Sequence, residues 1–362
     1  MLNCKLLKNK DESSLSTHAF PRRLSILANQ CPETHTYGQT IKNPSLLILY
    51  RPDFHSLVMQ KTTYRPRIFS TDRYQLTLPE GHKFPVIKYG MLRQIVEKEA
   101  LFHLESAPLA DAATVALVHD PDYVRQFAAG ALAPAAIRRI GLPWSEVLVQ
   151  RVFASVGGTI GASLEALQYG WGATLGGGTH HAFRSEGAGF CVFNDVAVAI
   201  QLLRQRGLIR RAAVIDLDVH QGDGTAEIFQ GDPDVFTLSI HCNSNFPFRK
   251  KQSRLDVSLP DGVEDNEYLH QLNEVLPAAF AFRPDIVFYQ SGVDPLASDV
   301  LGRLSLTHQG LMERDRKVFE AVRSFGAPFV LTSGGGYSRP IERSAEAHAN
   351  TYRTAWQVFA SV

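Results

Sequence analysis

Four short apolar segments in the second half of the chain each end in polar or glycine residues. Longer segments with helical apolar spacing separate them, and short apolar runs in that setting are typical of buried strands. Strands that alternate with helices in this way form a mostly parallel sheet. The sequence therefore predicts a single α/β domain with a mostly parallel central sheet flanked by helices on both faces. The predicted strands span residues 212–218, 235–240, 285–292 and 328–336, and the predicted helices span residues 145–169, 194–205, 265–275, 307–322 and 340–359.

Charge divides the chain near residue 67. Residues 1–66 contain nine Lys or Arg and four Asp or Glu, a net charge of +5, whereas residues 67–362 contain 28 and 32, a net charge of −4. We predict a disordered N-terminal extension over residues 1–66 and one folded domain over residues 67–362, so a chain that begins near Thr63 is expected to fold. The extension lacks the apolar segment of a signal peptide, and the acidic pair Asp11 and Glu12 disfavours a transit peptide, which leaves organellar targeting open.

Composition excludes several classes of partner. The net charge is +1 and the longest basic run is FRKK at residues 248–251, so the basic surface of a nucleic-acid-binding protein is missing. The longest apolar run near the start, LLILY, is far shorter than the ~20 residues of a membrane span. The four cysteines show no CxxC spacing, which fits a reducing compartment. We therefore expect a cytoplasmic protein with no membrane span and no direct contact with nucleic acid.

The predicted strand at residues 212–218 leads directly into DLDVHQGDG. If the backbone stays extended there, the two-residue period of a strand places Asp216, Asp218 and His220 on one side. Carboxylate and imidazole groups bind Zn²⁺ at ~2.0–2.2 Å, and a catalytic zinc takes three protein ligands. Asp294 follows another buried strand and a glycine, which makes it the best candidate for the third ligand. The alternative is a solvated acidic turn, although unpaired carboxylates are rarely buried.

Two glycine-rich segments add further polar side chains near predicted strand ends. LGGGTHHAF places His180 and His181 side by side, and adjacent side chains converge on one point only in irregular backbone, which glycine permits. TSGGGYSRP places Tyr337 directly after the strand at residues 328–336. Taken alone, each segment also fits a surface turn. In parallel sheets ligands bind beyond the carboxyl ends of the strands, so the agreement of these segments predicts one catalytic site at that edge.

Four blocks of the sequence, in this order, resemble the signature blocks of the zinc-dependent histone deacetylase family. The resemblance extends from about residue 67 to the C-terminus and implies the arginase/deacetylase-like fold. PEGHKFPVIKYGMLR and the SGGGY segment are most similar to the bacterial and class IV members. The four blocks are GGGTHHAFRSEGAGFCVFNDVAVAI, IDLDVHQGDGTAEIF, SGVDPLASDVLGRLSLT and TSGGGYSR.

The resemblance also implies a role for each residue of the site, with one Zn²⁺ per chain. The zinc ligands would be Asp218, His220 and Asp294. The catalytic residues would be the tandem histidines His180 and His181, the carboxylates Asp216 and Asp223 that pair with them in that order, and Tyr337, which would bind the substrate carbonyl. The walls of an acyl-lysine tunnel would be Gly189, Phe190 and Phe246, with Phe248 as an alternative to Phe246. A structural monovalent cation, with K⁺ as the candidate, would be bound by Asp216, Asp218, His220, Ser239 and Ile240.

The implied activity is zinc-dependent hydrolysis of an acetyl or longer acyl group from the ε-amine of lysine in proteins. Zinc would polarise the amide carbonyl, and His181 would act as the general base while His180 holds charge and orients the water. Alternatives are an acetylpolyamine deacetylase, a two-manganese ureohydrolase of the same fold and, from another class, a non-catalytic module that binds metal or acyl-lysine. Because a polyamine enzyme would need acidic residues at the mouth and FRKK is basic, we predict acyl-lysine in a protein or peptide. Acyl length, physiological substrate, the metal bound in vivo and oligomeric state stay open.

Overall fold

A computed structural model of the protein describes residues 65–360. The predicted extension at residues 1–66 lies outside the described residues, apart from Arg65 and Pro66, and its boundary remains a prediction. The strands of the described part are β1 (Arg67–Ser70), β2 (His103–Ser106), β3 (Trp171–Thr174), β4 (Ala212–Asp216), β5 (Val235–Cys242), β6 (Leu255–Leu259), β7 (Ile286–Gln290) and β8 (Phe329–Thr332).

These eight strands form one sheet in the order β2-β1-β3-β8-β7-β4-β5-β6. Every neighbouring pair is parallel, which confirms the parallel sheet that the sequence predicts. Helices connect the strands. Those of the described part are α1 (Ile87–Glu99), α2 (Ala112–Val115), α3 (Pro121–Ala128), α4 (Pro134–Ile140), α5 (Glu146–Tyr169), α6 (Asp195–Gln205), α7 (Asp223–Ile228), α8 (Asp265–Ala281), α9 (His308–Phe325) and α10 (Glu342–Ala360).

Successive residues on the central strands face opposite layers of helices. On β4, Ile215 packs into an apolar core that includes side chains of α8, α9 and α10, whereas Val214 packs into a second core that includes side chains of α3, α5 and α6. Tyr289 and Phe288 on β7 divide between the two cores in the same way. This alternation is the two-residue period of a strand buried on both sides. The predicted arrangement with helices on both faces is therefore confirmed.

Helix α5 is the longest helix of the described part and packs against the sheet. Ser145 caps its first turn by accepting a hydrogen bond from the Leu148 amide at 3.1 Å, and Gly170 ends it with a φ of 94°. A Cβ on Gly172 of β3 would lie 2.0 Å from the carbonyl oxygen of Ala162. Helix and strand therefore approach as closely as glycine allows. By length and composition alone α5 could cross a membrane, but more than half of its most apolar stretch is buried inside the protein, as in a core helix.

The sheet order brings loops that are distant in sequence to one edge. Strands β3, β8, β7 and β4 are consecutive neighbours in the sheet. All are parallel, so the loops that follow them leave from the same edge. These four loops carry the histidine pair, the GGGY segment, Asp294 and the DLDVH segment. The fold thus gathers the predicted site residues beyond the carboxyl ends of the strands, where ligands bind in parallel sheets.

Candidate active site

Three side chains form a buried cluster beyond the ends of β4 and β7. Asp218 and His220 come from the loop after β4, and Asp294 comes from the loop after β7. Nδ1 of His220 lies 3.1 Å from Oδ1 of Asp218 and 3.1 Å from Oδ2 of Asp294. The potential ligand atoms of the three residues all lie within 4.8 Å of one another. The structure therefore brings together the three residues predicted as zinc ligands.

The loop after β4 reaches this geometry by turning, not by extending the strand. Strand β4 ends at Asp216, so the extended backbone assumed over residues 217–220 is wrong. The Asp218 amide donates to Oδ1 of Asp216 at 3.2 Å, and the His220 amide donates to Oδ1 of Asp218 at 3.0 Å. Aspartate side chains that accept hydrogen bonds from amides two residues later are a common way to form turns. Two such turns in succession aim Asp218 and His220 at Asp294.

Glycines allow the neighbouring loops to approach the cluster closely. The Gly335 amide donates to Oδ2 of Asp218 at 2.8 Å. A Cβ on Gly335 would lie 1.9 Å from Oδ2 of Asp294, and a Cβ on Gly292 would lie 2.2 Å from Oδ2 of Asp218. Any side chain at either position would displace a carboxylate of the cluster. The glycine run after β8 is thus needed for the shape of the cluster as well as for the backbone turn.

The histidine pair lies beside the cluster, and a carboxylate contacts each imidazole. His180 Nδ1 lies 2.7 Å from Oδ2 of Asp216, and His181 Nδ1 lies 2.7 Å from Oδ1 of Asp223. The two ring centroids are 4.1 Å apart, and all four side chains are buried. Gly178, with a φ of 73°, supplies the irregular backbone from which the adjacent rings converge. Both carboxylate partners are the ones predicted, and each fixes its ring so that Nε2 is left for other contacts.

The two imidazoles differ in proton affinity. Burial lowers the pKa of His180, but the charges of Asp216 and Asp218 outweigh this effect and raise the pKa to about 9. Burial and repulsion by His180 together lower the pKa of His181 to about 4. The carboxylates around His180 therefore favour its protonated form, whereas burial and the neighbouring His180 disfavour a charge on His181. This difference supports the predicted division of roles between the two histidines.

Tyr337 faces the same space from the loop after β8. Its amide donates to Oδ2 of Asp299 at 2.6 Å, and its ring centroid lies 6.1 Å from that of Phe190. Nζ of Lys88 lies 5.6 Å from the ring centroid. Burial, together with the negative charge of Asp294, raises the pKa of the Tyr337 hydroxyl well above its usual value. The phenol therefore stays protonated at neutral pH and can donate a hydrogen bond.

Aromatic side chains line the passage from solvent to these groups. Gly189 and Phe190 both adopt left-handed backbone, with φ of 54° and 66°, and a Cβ on Gly189 would lie 2.7 Å from the His181 ring. The Phe246 ring packs edge-on against His181 with centroids 4.9 Å apart. Phe248 is 84% exposed and lies farther out, 6.3 Å from Phe246. The geometry thus favours Phe246 over Phe248 as the wall opposite Phe190.

The residues predicted to bind a monovalent cation lie around the end of β4. Asp216 pairs in register with Ser239 on β5, and Ile240 is fully buried beside it. Oγ of Ser239 lies 3.0 Å from Nδ1 of His241. Asp218 and His220 complete the predicted set from the loop above. The fold places these residues together, and the cation itself remains a prediction.

Asp195 is a functional position that the sequence analysis did not identify. It lies at the start of α6, is fully buried, and accepts hydrogen bonds from the Gly178 amide at 2.9 Å and from the Thr179 amide at 2.7 Å. Its Oδ2 also accepts from Thr159 of α5 at 2.5 Å. The negative charge thus holds the backbone directly before the histidine pair. The only sequence signal is the Asn194-Asp195 pair at a predicted helix start, which is typical of capping.

Arg314 is a second such position and lies beneath the loops that carry the metal-ligand candidates. Its side chain is fully buried and pairs with Asp315 at 2.8 Å. The guanidinium donates to the carbonyl oxygens of Leu217 at 3.2 Å, Gly292 at 2.7 Å and Ser291 at 3.3 Å. One planar group therefore joins the loop after β4 to the loop after β7. Arginine suits this task because its donors form a fixed fork.

We expect Arg314→Lys to lower the free energy of unfolding by about 1–3 kcal/mol, because lysine keeps the charge but loses most of the hydrogen bonds to the two loops. Denaturant unfolding monitored by circular dichroism measures this change. The matched control is Arg210→Lys, whose ion pair with Asp234 lies at the surface and whose replacement is expected to change stability by less than about 0.5 kcal/mol. Equal stability of the two variants would contradict the role assigned to Arg314.

Comparison with known proteins agrees with this geometry. A family model of the histone deacetylase domain matches residues 82–352. An uncharacterised protein from Picosynechococcus is 44% identical over 301 residues, which are 81% of this chain and 99% of the relative. Histone deacetylase 2 from Arabidopsis thaliana is 32% identical over 276 residues, 72% of this chain and 71% of the relative. The acetoin utilization protein AcuC from Bacillus subtilis is 33% identical over 256 residues, 63% of this chain and 65% of the relative.

Proposed function

Because the chain belongs to the histone deacetylase family, we propose that it is a zinc-dependent enzyme that removes an acetyl or longer acyl group from the ε-amine of lysine in proteins. Family membership makes the chain a hydrolase with deacetylase activity. One observation carries the finer proposal. The three metal-ligand candidates, the two histidine–carboxylate pairs and Tyr337 converge at the inner end of one aromatic passage.

The donor set fits a zinc ion. Asp218 and Asp294 are buried carboxylates, and among the described residues neither forms an ion pair with lysine or arginine. Burial and the charge of Asp218 raise the pKa of Asp294 to about 7, because two buried carboxylates repel each other, and a bound cation would relieve that repulsion. Two carboxylates and one imidazole are a ligand set that Zn²⁺ accepts in open catalytic sites. When bound, zinc supplies a Lewis acid that polarises the amide carbonyl and lowers the pKa of water.

The side chains of this protein then have distinct tasks. Asp223 holds Nδ1 of His181, so Nε2 is the atom that takes the proton from the attacking water and later gives it to the departing lysine amine. His180, held by Asp216, keeps a positive charge next to the reacting carbon and orients the water. The Tyr337 hydroxyl donates to the carbonyl oxygen as negative charge develops on it. A binding module would need neither the proton acceptor nor this donor.

A two-metal ureohydrolase has less support. Its chemistry requires additional carboxylates that bridge two ions ~3.5–4 Å apart. Within residues 65–360, Asp218, His220 and Asp294 are the one group of three ligand side chains close enough to hold a metal. A single ion per chain therefore suits the described residues best.

The mouth of the passage supports acyl-lysine over acetylpolyamine. An acetylpolyamine carries a second ammonium, which an acidic side chain at the mouth would need to meet. The two grooves that open beside Tyr337 are lined by Lys83, Arg139, Arg303 and Arg339, and within residues 65–360 no aspartate or glutamate lines either groove. Arg139 and Arg303 form ion pairs with Glu186 and Asp261, so Lys83 and Arg339 are the charges that would repel a polyamine. A lysine side chain reaches the passage from a peptide and brings no second ammonium of its own.

The proposed location is the cytoplasm. Cys191 and Cys242 are buried free thiols, which fits a reducing compartment. The net charge of +1 gives no reason to expect direct contact with nucleic acid.

The deciding experiment is kcat/KM of the purified full chain on acetyl-, butyryl-, octanoyl- and myristoyl-lysine peptides and on N-acetylputrescine. We expect turnover of at least one peptide and higher efficiency on it than on N-acetylputrescine. An apolar pocket distinguishes acyl chains by only ~1–3 kcal/mol per methylene, so kcat/KM is expected to change gradually with acyl length across the peptides. Higher efficiency on N-acetylputrescine than on every peptide would overturn the substrate class. No hydrolysis of any of these substrates would favour a binding module.

A further inference from the structure

The charge of the tunnel mouth is opposite to the charge of the domain that carries it. Residues 67–362 hold 28 Lys or Arg and 32 Asp or Glu, a net charge of −4. The two grooves that meet at Tyr337 are nevertheless lined by four cationic side chains, and no carboxylate of the described residues lines them. The excess of cationic side chains at the mouth is therefore local. Clefts lined by one sign of charge concentrate ligands of the opposite sign.

Two of these four cations have no ion-pair partner among the described residues. Arg139 pairs with Glu186, and Arg303 pairs with Asp261 at 3.3 Å. Lys83 and Arg339 are exposed, and within residues 65–360 neither has a carboxylate partner. Both line the groove that runs past Tyr337. Within the part of the chain that the structure describes, their charges are thus unpaired at the point where the peptide on either side of a bound lysine must leave the passage.

Apolar side chains at the same mouth favour a polypeptide over a small anion. Val300 is 49% exposed and Phe248 is 84% exposed, and both line the groove that contains Arg139 and Arg303. Ile341 and Pro85 line the groove of Lys83 and Arg339. A free phosphate has no apolar group that could pack against these side chains, and the charged phosphates of a nucleotide would gain nothing from them. A peptide with acidic and apolar side chains would satisfy both the cations and the apolar surface.

We propose that the mouth of this enzyme selects acyl-lysine in an acidic sequence context, with Lys83 and Arg339 contacting aspartate or glutamate beside the modified lysine. This inference rests on the proposed function, because it concerns substrates that carry acyl-lysine. The two cations act on substrate choice and not on the chemistry. Their contribution therefore lies in kcat/KM for acidic peptides relative to matched neutral ones.

The test uses three acetyl-lysine peptides that differ only at the positions flanking the lysine, which carry glutamate, glutamine or lysine. At about 50 mM salt we expect the glutamate peptide to exceed the glutamine peptide by about 3- to 10-fold in kcat/KM, as two exposed ion pairs allow. Raising the salt to about 300 mM should shrink this ratio, because exposed charges are screened. The glutamine peptide reports the deacylase activity itself.

Two double variants test whether Lys83 and Arg339 cause the preference for the glutamate peptide. In Lys83→Gln/Arg339→Gln the glutamate-to-glutamine ratio should fall towards one, and in Lys83→Glu/Arg339→Glu the lysine peptide should become the best of the three. The matched control is Lys98→Gln/Arg206→Gln, which removes two exposed cations at the far ends of α1 and α6 and should leave the ratio as it is.

The outcomes separate this inference from the function on which it rests. If no peptide is hydrolysed, the proposed function fails. If all three peptides are hydrolysed with equal efficiency, or if the ratio survives in Lys83→Gln/Arg339→Gln, the enzyme is a deacylase and the selection by the mouth is refuted.

Discussion

Asp294→Asn is expected to remove metal binding and turnover together. The asparagine has nearly the same shape and its side-chain oxygen can still accept the Val219 amide, which now lies 2.9 Å from Oδ1 of Asp294. It cannot supply the anionic oxygen that lies 3.1 Å from Nδ1 of His220. Since a metal ion contributes several kcal/mol to such a reaction, kcat/KM should fall by more than about 10³-fold. Metal content after equilibrium dialysis and the visible spectrum of the Co²⁺-loaded protein report binding independently of activity.

The matched control is Asp299→Asn. Asp299 is also an acidic residue near the site, but its carboxylate accepts hydrogen bonds from the amides of Leu301, Gly302 and Tyr337 and does not belong to the metal-ligand cluster. This variant should keep its metal and lose activity only through a less well-ordered Tyr337. Chelation should remove the activity, and later addition of Zn²⁺ should restore it in the natural protein and in Asp299→Asn. The activity of Asp294→Asn should not return. Full turnover by protein shown to contain no metal would refute the zinc-dependent mechanism.

The strands that the sequence predicts are fully buried and lie next to one another in the sheet. Strands β4, β5 and β7 are buried at every position, so their apolar pattern is visible without further information. Strands β2 and β6 form the two edges of the sheet and contain exposed residues, β1 begins with an exposed residue, and β3 reads WGAT, with a single large apolar side chain. Such segments are too mixed for a pattern. The sequence thus predicts the centre of the sheet and misses its margins.

Element ends are less predictable than element types because tertiary contacts decide them. The helix predicted over residues 265–275 continues to Ala281 through Pro277, since Leu276 and Ala279 are buried in the core beneath it. The strand predicted over residues 212–218 ends at Asp216 because side-chain hydrogen bonds turn the chain there. In both cases a contact that lies outside the local pattern overrides it.

The residues of the site also differ in how well the sequence predicts them. Residues whose side chains face the reacting groups stand in unusual local sequence, such as the adjacent histidines, and can be recognised. Arg314 stands in ERDRK, where it looks like part of a solvated helix face, and its burial follows only from how α9 packs on the sheet. Asp195 likewise looks like an ordinary helix start. Side chains such as these, which position the site through hydrogen bonds to the backbone, are hard to recognise in a single sequence.

Tyr337→Phe is expected to lower kcat by about 10²–10³-fold with little change in KM, because the hydroxyl matters most when negative charge develops on the carbonyl oxygen. The phenylalanine ring keeps the packing against Phe190, whose centroid is 6.1 Å away. Steady-state kinetics on an acetyl-lysine peptide give both constants. Metal content and melting temperature should match those of the natural protein, which separates this loss from loss of the metal or of the fold.

The matched control for that variant is Tyr169→Phe, at the end of α5. It removes a hydroxyl that accepts a hydrogen bond from Gln168 at 2.9 Å, outside the site, and should leave kcat unchanged. Because burial and the charge of Asp294 hold the pKa of Tyr337 well above its usual value, the natural hydroxyl remains a donor throughout the neutral range. The ratio of kcat between the natural protein and Tyr337→Phe should therefore stay constant from about pH 6 to pH 9. A ratio that falls towards one within this range would mean that the hydroxyl loses its proton there and does not act as the expected donor.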